Sequence, residues 1–302
     1  MMVARHLTPL GYIDVIAKAG SIRKAAETLS ITSTALNRRV LALEEELGVP
    51  IFERLPRGVR LSTAGEFLVA HVRHQISDFE KLKGQIADLS GVRRGNVAIA
   101  CSQALLPYFL PEQISRYRAE HPAVTFRVSL RDRAAAEQAL VDLSADIALI
   151  FEPVRLREMQ VLISVRQPLH AVMSVDHPLA GRDTIRLSDC VAFPVGLPTA
   201  QYGVRHLIDM ALMRSSLPLT VAVESDSFEL LRHYPRHEHL VSFQIPVGLP
   251  RQADERIVTR PVDRRDVPEG LLYLCQLHGR TLPVAAAKFA VQIEAALESY
   301  FS

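Results

Sequence analysis

Cysteine is scarce in this chain of 302 residues. Cys101, Cys190 and Cys275 stand alone and odd in number, with no CxxC pair and no Cys/His spacing of the kind that holds zinc. Neither a disulfide framework nor a zinc site is supported, and buried structural thiols are the expectation. Long apolar runs are missing too: no stretch reaches membrane-spanning length, and the N-terminus lacks the apolar core of a signal peptide. A cytoplasmic protein with no membrane partner is expected. Catalytic signatures are equally thin, with no GxSxG elbow, Walker loop, GxGxxG or HExxH. Ser102, Asp226 and His206 can be assembled on paper into a triad, but eleven histidines and many serines supply such sets by chance. No enzyme and no cofactor is expected. The net charge is only +2, yet residues 1–64 carry nine Lys/Arg against six Asp/Glu, while the segment after residue 94 has a slight acidic excess. A basic head on a mildly acidic body agrees with nucleic-acid binding by the head, though the imbalance is too small to argue it alone.

What is there begins between Gly20 and Gly65. Ala25, Ala26 and Leu29 mark one helical pattern, and Leu36, Val40, Leu43 and Leu47 mark a second, buried stripe. Only the polar turn Ser30 to Thr32 separates them, a helix-turn-helix spacing whose second helix can lie in the major groove. Thr32 is placed to N-cap that helix, leaving Ser33, Thr34, Asn37 and Arg38 on its opposite face. A solvated helical hairpin would share this spacing. After Gly48, IFERLPRGVRLS offers two short strands around Pro56–Gly58, a wing with arginines 54, 57 and 60 near its tip.

At these residues the chain resembles the N-terminal module of LysR-type transcriptional regulators. Leu43-Glu44, Leu47-Gly48, Ile51-Phe52-Glu53-Arg54 and Leu61-Ser62-Thr63-Ala64-Gly65 match its pattern in order. Two departures stand out. The family's SQPAVS becomes Thr32-Ser33-Thr34-Ala35-Leu36-Asn37, which bears on the base sequence read, and its usual threonine is Arg23, so Ser21 becomes the cap. The residues expected at double-stranded DNA are Thr32, Ser33, Thr34, Asn37 and Arg38 in the groove, with Arg39, Arg54, Arg57 and Arg60 on phosphates.

Before this pair, residues 7–19 read as a helix with Leu10, Ile13, Ile16 and Ala17 inward. Beyond the wing, Ser62 or Thr63 caps a long pattern in which Leu68, Val72, Ile76, Phe79, Leu82, Ile86 and Leu89 recur about every 3.5 residues, the period of a coiled-coil seam. A partner helix is expected on that stripe; packing on the chain's own body is the alternative. In the LysR type the linker helix pairs with its twin, which implies a dimer, and the family implies a dimer of dimers and contact with RNA polymerase. Gly91–Gly95 reads as a hinge.

From Asn96 onward short apolar runs alternate with helical stretches. VAIAC (97–101), VTFRVSL (124–130) and DIALIF (146–151), with helices near 103–120 and 134–143, argue a parallel sheet. HAVMSV (170–175), VAFPV (191–195), LTVAVES (219–225) and LVSFQI (240–245) suggest a second sheet of the same kind, with helices near 200–215 and 226–234. GLLYLCQL (270–277) and a helix from 283 to 300 complete the chain. Phe109-Leu110-Pro111, Glu120-His121-Pro122, Ala145-Asp146-Ile147-Ala148 and His177-Pro178-Leu179-Ala180 resemble the effector part of the same family. The implied fold is a mainly α winged helix-turn-helix (1–65), a linker helix (66–90) and a two-lobed, periplasmic-binding-protein-like α/β effector domain (91–302). Lobe I takes about 95–164 and 267–302, and lobe II about 165–266.

Ligands bind beyond the carboxyl ends of strands in such sheets. The candidates there are Ser102, Gln103, Arg131, Pro198, Thr199, Ala200, Ser225, Asp226 and Phe243, suiting a small organic anion such as a carboxylate. Asp226 argues the other way, toward an amine or hydroxyl, and helix capping is the plainer role for each Ser or Asp. His233, His237 and His239 fall in a Pro-broken segment, better suited to a solvated turn than to a metal. The expected function is a sequence-specific transcriptional regulator controlled by a small molecule. An effector-independent architectural DNA-binding protein is the alternative, and an α/β enzyme with a DNA-binding head comes third.

Overall fold

A computed structural model describes residues 8–89, 95–250 and 254–301. The chain divides into two compact units, residues 1–86 and 87–302. The first holds α1 (Thr8–Ala19), α2 (Ile22–Leu29), α3 (Ser33–Leu47), the hairpin β1 (Phe52–Leu55) and β2 (Gly58–Leu61), and all but the last three residues of α4 (Thr63–Leu89). The caps form where the sequence places them. Ser21 accepts from the Lys24 amide, Thr32 from the Ala35 amide at 3.2 Å, and Ser62 from the Gly65 amide at 3.0 Å. Ile13, Ile16, Ala25, Ala26, Leu36, Val40, Ile51 and Val69 form one buried core. Leu47 lies outside it, 46 % exposed, so the stripe on α3 is one turn shorter than its period suggests.

The wing is fixed by backbone contact. The Val59 amide donates to the Gly20 carbonyl at 3.0 Å, and a Cβ on Gly58 would lie 2.3 Å from that same oxygen. With φ at +136° as well, only glycine serves there. The Glu44 carboxylate accepts the Ile51 and Phe52 amides at 2.7 and 3.1 Å, tying α3 to β1. A buried carboxylate that the sequence reading did not single out, Asp14, joins α1 to α4. It receives Lys18 Nζ at 2.5 Å and Arg73 Nε at 2.7 Å.

Along α4 the seam divides. Val72 is fully buried, Leu68, Ile76 and Phe79 are half-buried, and Leu82 and Ile86 are 48 % and 55 % exposed. Val72 is therefore not available to a partner helix, contrary to its place in the expected seam. The Leu89 side chain and the hinge at 91–94 lie outside the described residues.

The second unit contains two five-stranded sheets. In the first, the order is β4 (Val124–Leu130), β3 (Gly95–Cys101), β5 (Ile147–Phe151), β12 (Gly270–Leu277) and β6 (Met159–Gln167). The three leading strands are parallel, and β12 runs antiparallel to both β5 and β6. Helices α5 (Phe109–Glu120), α6 (Arg133–Val141) and α10 (Val284–Phe301) belong to this lobe. A 3-10 turn at Gln103–Leu105 and residues 106–108 separate α5 from β3, where a single helix was expected. Asp146 of the Ala-Asp-Ile-Ala motif accepts the Ala98 amide at 2.8 Å and pairs with Arg280 at 2.6 Å, so this buried carboxylate pins β3 and β12 to the start of β5.

The second lobe's sheet is ordered β11 (Ile257–Pro261), β7 (His170–Ser174), β10 (Val241–Gln244), β8 (Pro194–Pro198) and β9 (Thr220–Ser225), with helices α7 (Leu187–Cys190), α8 (Gly203–Ser215) and α9 (Phe228–His233). It is not the parallel sheet expected: β8 is parallel to β9 and β10, but β7 is antiparallel to β10 and β11. The expected strand at 191–195 is displaced to 194–198, because α7 ends at Cys190 and turns through Phe193. Strands β6 and β11, each at a sheet edge, are additions to the sequence reading. The chain crosses between lobes at 168–169, slightly later than expected, and returns at 262–269. Asp266 anchors the return through Arg186 at 2.6 and 2.8 Å and the Leu187 amide at 2.8 Å.

Candidate functional site

Two places concentrate exposed or cleft-lining polar groups. In the head, Thr32, Ser33, Thr34, Arg38 and Arg39 are exposed along the N-terminal half of α3. Asn37 is half-buried, and its Oδ1 accepts from Arg54 Nη2 at 3.1 Å, tying this face of α3 to the first wing strand. Its amide NH2 remains as the donor to offer a base edge. Arg39 lies over the Tyr12 ring at 4.7 Å, and Arg60 is paired with Glu53 at 2.5 Å. Both arginines are thus engaged within the head, whereas Arg57 sits exposed in the turn between the wing strands. The phosphate candidates are accordingly unequal, with Arg57 the strongest.

In the second unit, Ser102, Arg131 and Thr199 follow the carboxyl ends of β3, β4 and β8. Ser102 and Arg131 line a cleft with Arg133, Phe151, Tyr202 and Phe228, but its volume is only about 10 Å³. That is room for one water. Gln103 spans the lobes: its Oε1 accepts the Phe228 amide at 3.1 Å, and its Nε2 donates to the Asp226 carbonyl and to Tyr202 Oη at 3.4 Å. Arg133 donates to the main-chain oxygens of Glu152 and Pro153, and burial lowers its pKa although the Glu152 and Glu137 charges oppose the shift.

The other candidates divide. Pro198 is buried, Ala200 is exposed, and the Thr199 amide bonds the Ser225 carbonyl at 3.2 Å. The Ser225 hydroxyl accepts from the Ser227 amide at 3.0 Å, which closes the turn into α9, and Ser227 is the residue that caps that helix. The Asp226 side chain is exposed and lines neither cavity, so it places no carboxylate in the cleft. Phe243 is 3 % exposed within the core of β10 and contributes packing rather than a ligand contact. Arg133, Tyr202 and Phe228 were missed by the sequence reading. Arg133 follows Arg131 by two residues, and that doubled charge was the available signal.

The chain matches two family models, one over each of its units. Residues 7–66 match the bacterial regulatory helix-turn-helix protein, lysR family, and residues 90–298 match the LysR substrate binding domain. The chain belongs to the LysR-type transcriptional regulators. It is a DNA-binding regulator with an effector-binding domain, in a family of regulators rather than enzymes. A probable RuBisCO transcriptional regulator of Synechocystis sp. is 28 % identical over 233 residues, 75 % of this chain and 68 % of that one. Among solved structures, a full-length OxyR variant from Pseudomonas aeruginosa superposes with a TM-score of 0.68 at 24 % identity, covering 97 % of this chain and 98 % of that one. Full-length CbnR in complex with its target DNA gives 0.63 at 15 % identity over 96 % and 99 %.

In this LysR-type regulator all three thiols are buried, and burial pushes each up to about 12, far from reactive thiolate. The histidines 233, 237 and 239 take separate paths: His233 bonds Glu229 at 2.7 Å, His237 is exposed, and His239 packs its ring 5.7 Å from His177. Among the described residues no three His, Cys, Asp or Glu converge as a metal site, and no helix is long and apolar enough to cross a membrane.

His177 explains its own motif. It is 3 % exposed, its ring lies tilted 4.5 Å from that of Phe193, and its Nδ1 accepts the Leu179 amide at 3.1 Å. Burial, then the charge of His239, hold it below the ordinary 6.5, and burial does the same for His170. Both are therefore held toward the neutral form in the fold. An unfolded chain binds more protons than the folded one below pH 6.5, so stability is full above that pH and falls as pH drops through it. Thermal midpoints at pH 7.5 and 5.5 should show this loss, and His177→Gln should flatten the slope. An unchanged slope in the variant would assign the loss to other groups.

Proposed function

We propose that this regulator reads a pseudo-palindromic promoter site as a dimer and changes that reading when a small organic anion enters the strand-end cleft. The observation that carries it is Gln103. Its side-chain carbonyl, on lobe I, already holds the first amide of α9 on lobe II, where a ligand carboxylate would accept the same N–H. Ser102, Arg131 and Arg133 supply a hydroxyl and two cations beside it. A ligand taking over those bonds would favour one lobe arrangement over another, and a regulator can respond to nothing else. The exposed apolar positions of α4 supply the dimer, whose two heads read two half-sites. Pairing of dimers and contact with RNA polymerase follow from the family alone. CbnR was solved with its target DNA, and the effector domain of QuiR, 16 % identical with a TM-score of 0.58 over 69 % of this chain and all of that one, with shikimate.

Footprinting on the DNA flanking the gene, with and without a panel of organic acids, tests the reading. Arg38→Ala should cost roughly 1–3 kcal/mol and blur one or two base pairs. Arg57→Ala should weaken every sequence alike and flatten the salt dependence. Ser102→Ala with Arg131→Ala should abolish the acid response while leaving operator affinity intact. Equal affinity for random and promoter DNA at moderate salt would overturn the DNA-reading claim, and an undiminished response in the double variant would overturn the cleft.

A further inference from the structure

Asn37 and Arg54 stand 17 residues apart and meet between α3 and the first wing strand. The LysR pattern has a serine where this chain has Asn37, and a hydroxyl donates or accepts as the base requires. An amide has no such freedom, since one end only accepts and the other only donates. Here the partner decides which end is which. A guanidinium has donors alone, so the atom that meets Arg54 Nη2 at 3.1 Å must be Oδ1. The amide orientation of Asn37 follows from the chemistry of Arg54.

Both ends of this contact are mounted on fixed backbone. Thr32 caps α3 through the Ala35 amide, which sets the turn from which Asn37 projects. Arg54 lies opposite Val59 in the hairpin, and the Val59 amide is bonded to the Gly20 carbonyl. Glu44 of α3 holds the two amides at the start of β1. The carboxylate beside Arg54 on that strand, Glu53, is taken by Arg60 and so does not draw Arg54 away. Asn37 is half-buried, and its side chain has correspondingly less room to turn over.

We propose that Arg54 is a positioning residue for base reading: by holding Oδ1 it makes Asn37 a donor-only reader that selects guanine at one base pair of each half-site. The inference rests on the promoter-reading function above and names one determinant of the sequence read. An unrestrained asparagine favours adenine, giving Nδ2 to N7 and taking the N6 amino group on Oδ1. With Oδ1 held at the wing, that N6 amino group meets another donor. Guanine presents two acceptors side by side, N7 and O6, whereas thymine presents one and cytosine only a donor. Arg54 spends one of its five N–H groups on Asn37, so a phosphate contact by the same guanidinium is compatible with this role.

Selection of a randomised duplex library by the full-length protein, with sequencing of the bound DNA, tests it. Wild type should enrich guanine over adenine by roughly tenfold at one position of each half-site. Asn37→Ala should flatten that position, which identifies it. Arg54→Met, which keeps a long side chain but no donor, should raise adenine there at least to parity with guanine. Added to Asn37→Ala, the same change should leave the position flat. Should methionine disturb the hairpin, Arg54→Leu repeats the test. An arginine that only neutralises phosphate would weaken every sequence alike and leave each preference as it was. That result, or adenine as the wild-type choice at the Asn37 position, would overturn the proposal while promoter reading stands. A wild type with no enriched position would overturn promoter reading itself, and this proposal with it.

Discussion

Leu82→Glu combined with Ile86→Glu is expected to convert the protein to a monomer and to lower operator affinity by a hundredfold or more. These side chains lie on α4 at 48 % and 55 % exposure, the two most exposed apolar positions described along its expected seam. Burying each in a helix pair is worth roughly 1.5–3 kcal/mol, and a dimer buries four of them. Glutamate removes that gain and adds the cost of desolvating charges. One head would then have to bind without its twin, and linked heads exceed single-head affinity by about 10²–10⁴. Val72 is excluded from the pair because it is buried: glutamate there would unfold the head and could not separate assembly from folding. Light scattering and gel shifts on the same samples check the claim. A monomeric wild type, or a variant that stays dimeric, would defeat it.

Much of the head was legible because its determinants are local. Thr32, Ser21 and Ser62 cap their helices through amides three residues on, and Gly48 ends α3 in the left-handed region, so sequence order alone places them. The Leu43-Glu44 match to the family has a physical basis in Glu44 holding the Ile51 and Phe52 amides. Asp14 with Arg73 is 59 residues apart in the chain, and no local period announces it. Edge strands β6 and β11 were hidden for another reason. β6 carries Gln, Ser and Arg and β11 Thr, Arg and Pro among their apolar residues, so neither reads as a buried run. The apolar run VAFPV misled by one turn, since its first residues complete α7 and its strand continues to Pro198.

The effector cleft was legible in composition but not in shape. Ser102 and Arg131 were found by following strands to their ends, and they do share a cleft. Phe243 was chosen by the same logic, yet side-chain alternation turns it into the core. Ser225 turned out to close the turn after β9, and the helix-capping serine is Ser227 two residues on. Cavity volume depends on Phe151, Tyr202 and Phe228 arriving from three separate segments, which no single stretch encodes. The His233–His239 segment shows the opposite error. Its histidines drew attention, while Arg232 beside them lines a cavity of about 410 Å³.

Gly203→Val should lower the thermal midpoint of the effector unit by several degrees and impair its response to any ligand of the cleft. Gly203 opens α8 on lobe II, and a Cβ there would lie 2.5 Å from the Phe151 carbonyl and 3.0 Å from Glu152 Cβ, both on lobe I. The carbonyl is backbone at the end of β5 and cannot swing aside. Glu152 is constrained as well: its φ is +52°, its amide donates to the Leu271 carbonyl, and its carboxylate accepts the Leu271 amide at 2.7 Å. A strained non-glycine residue clamped on three sides has nowhere to retreat, so the lobes must part. Overpacking of this kind costs about 1–3 kcal/mol, and each kcal/mol moves the midpoint of a domain this size by roughly 2–4 °C. The helix itself would not suffer, since Gly203 has no positive φ and replacing glycine generally favours helix. Gly181→Ala serves as the control, because nothing lies within 4 Å of its would-be Cβ and its φ is ordinary. If Gly203→Val melts with the wild type and still responds, the lobes are not held together at this contact.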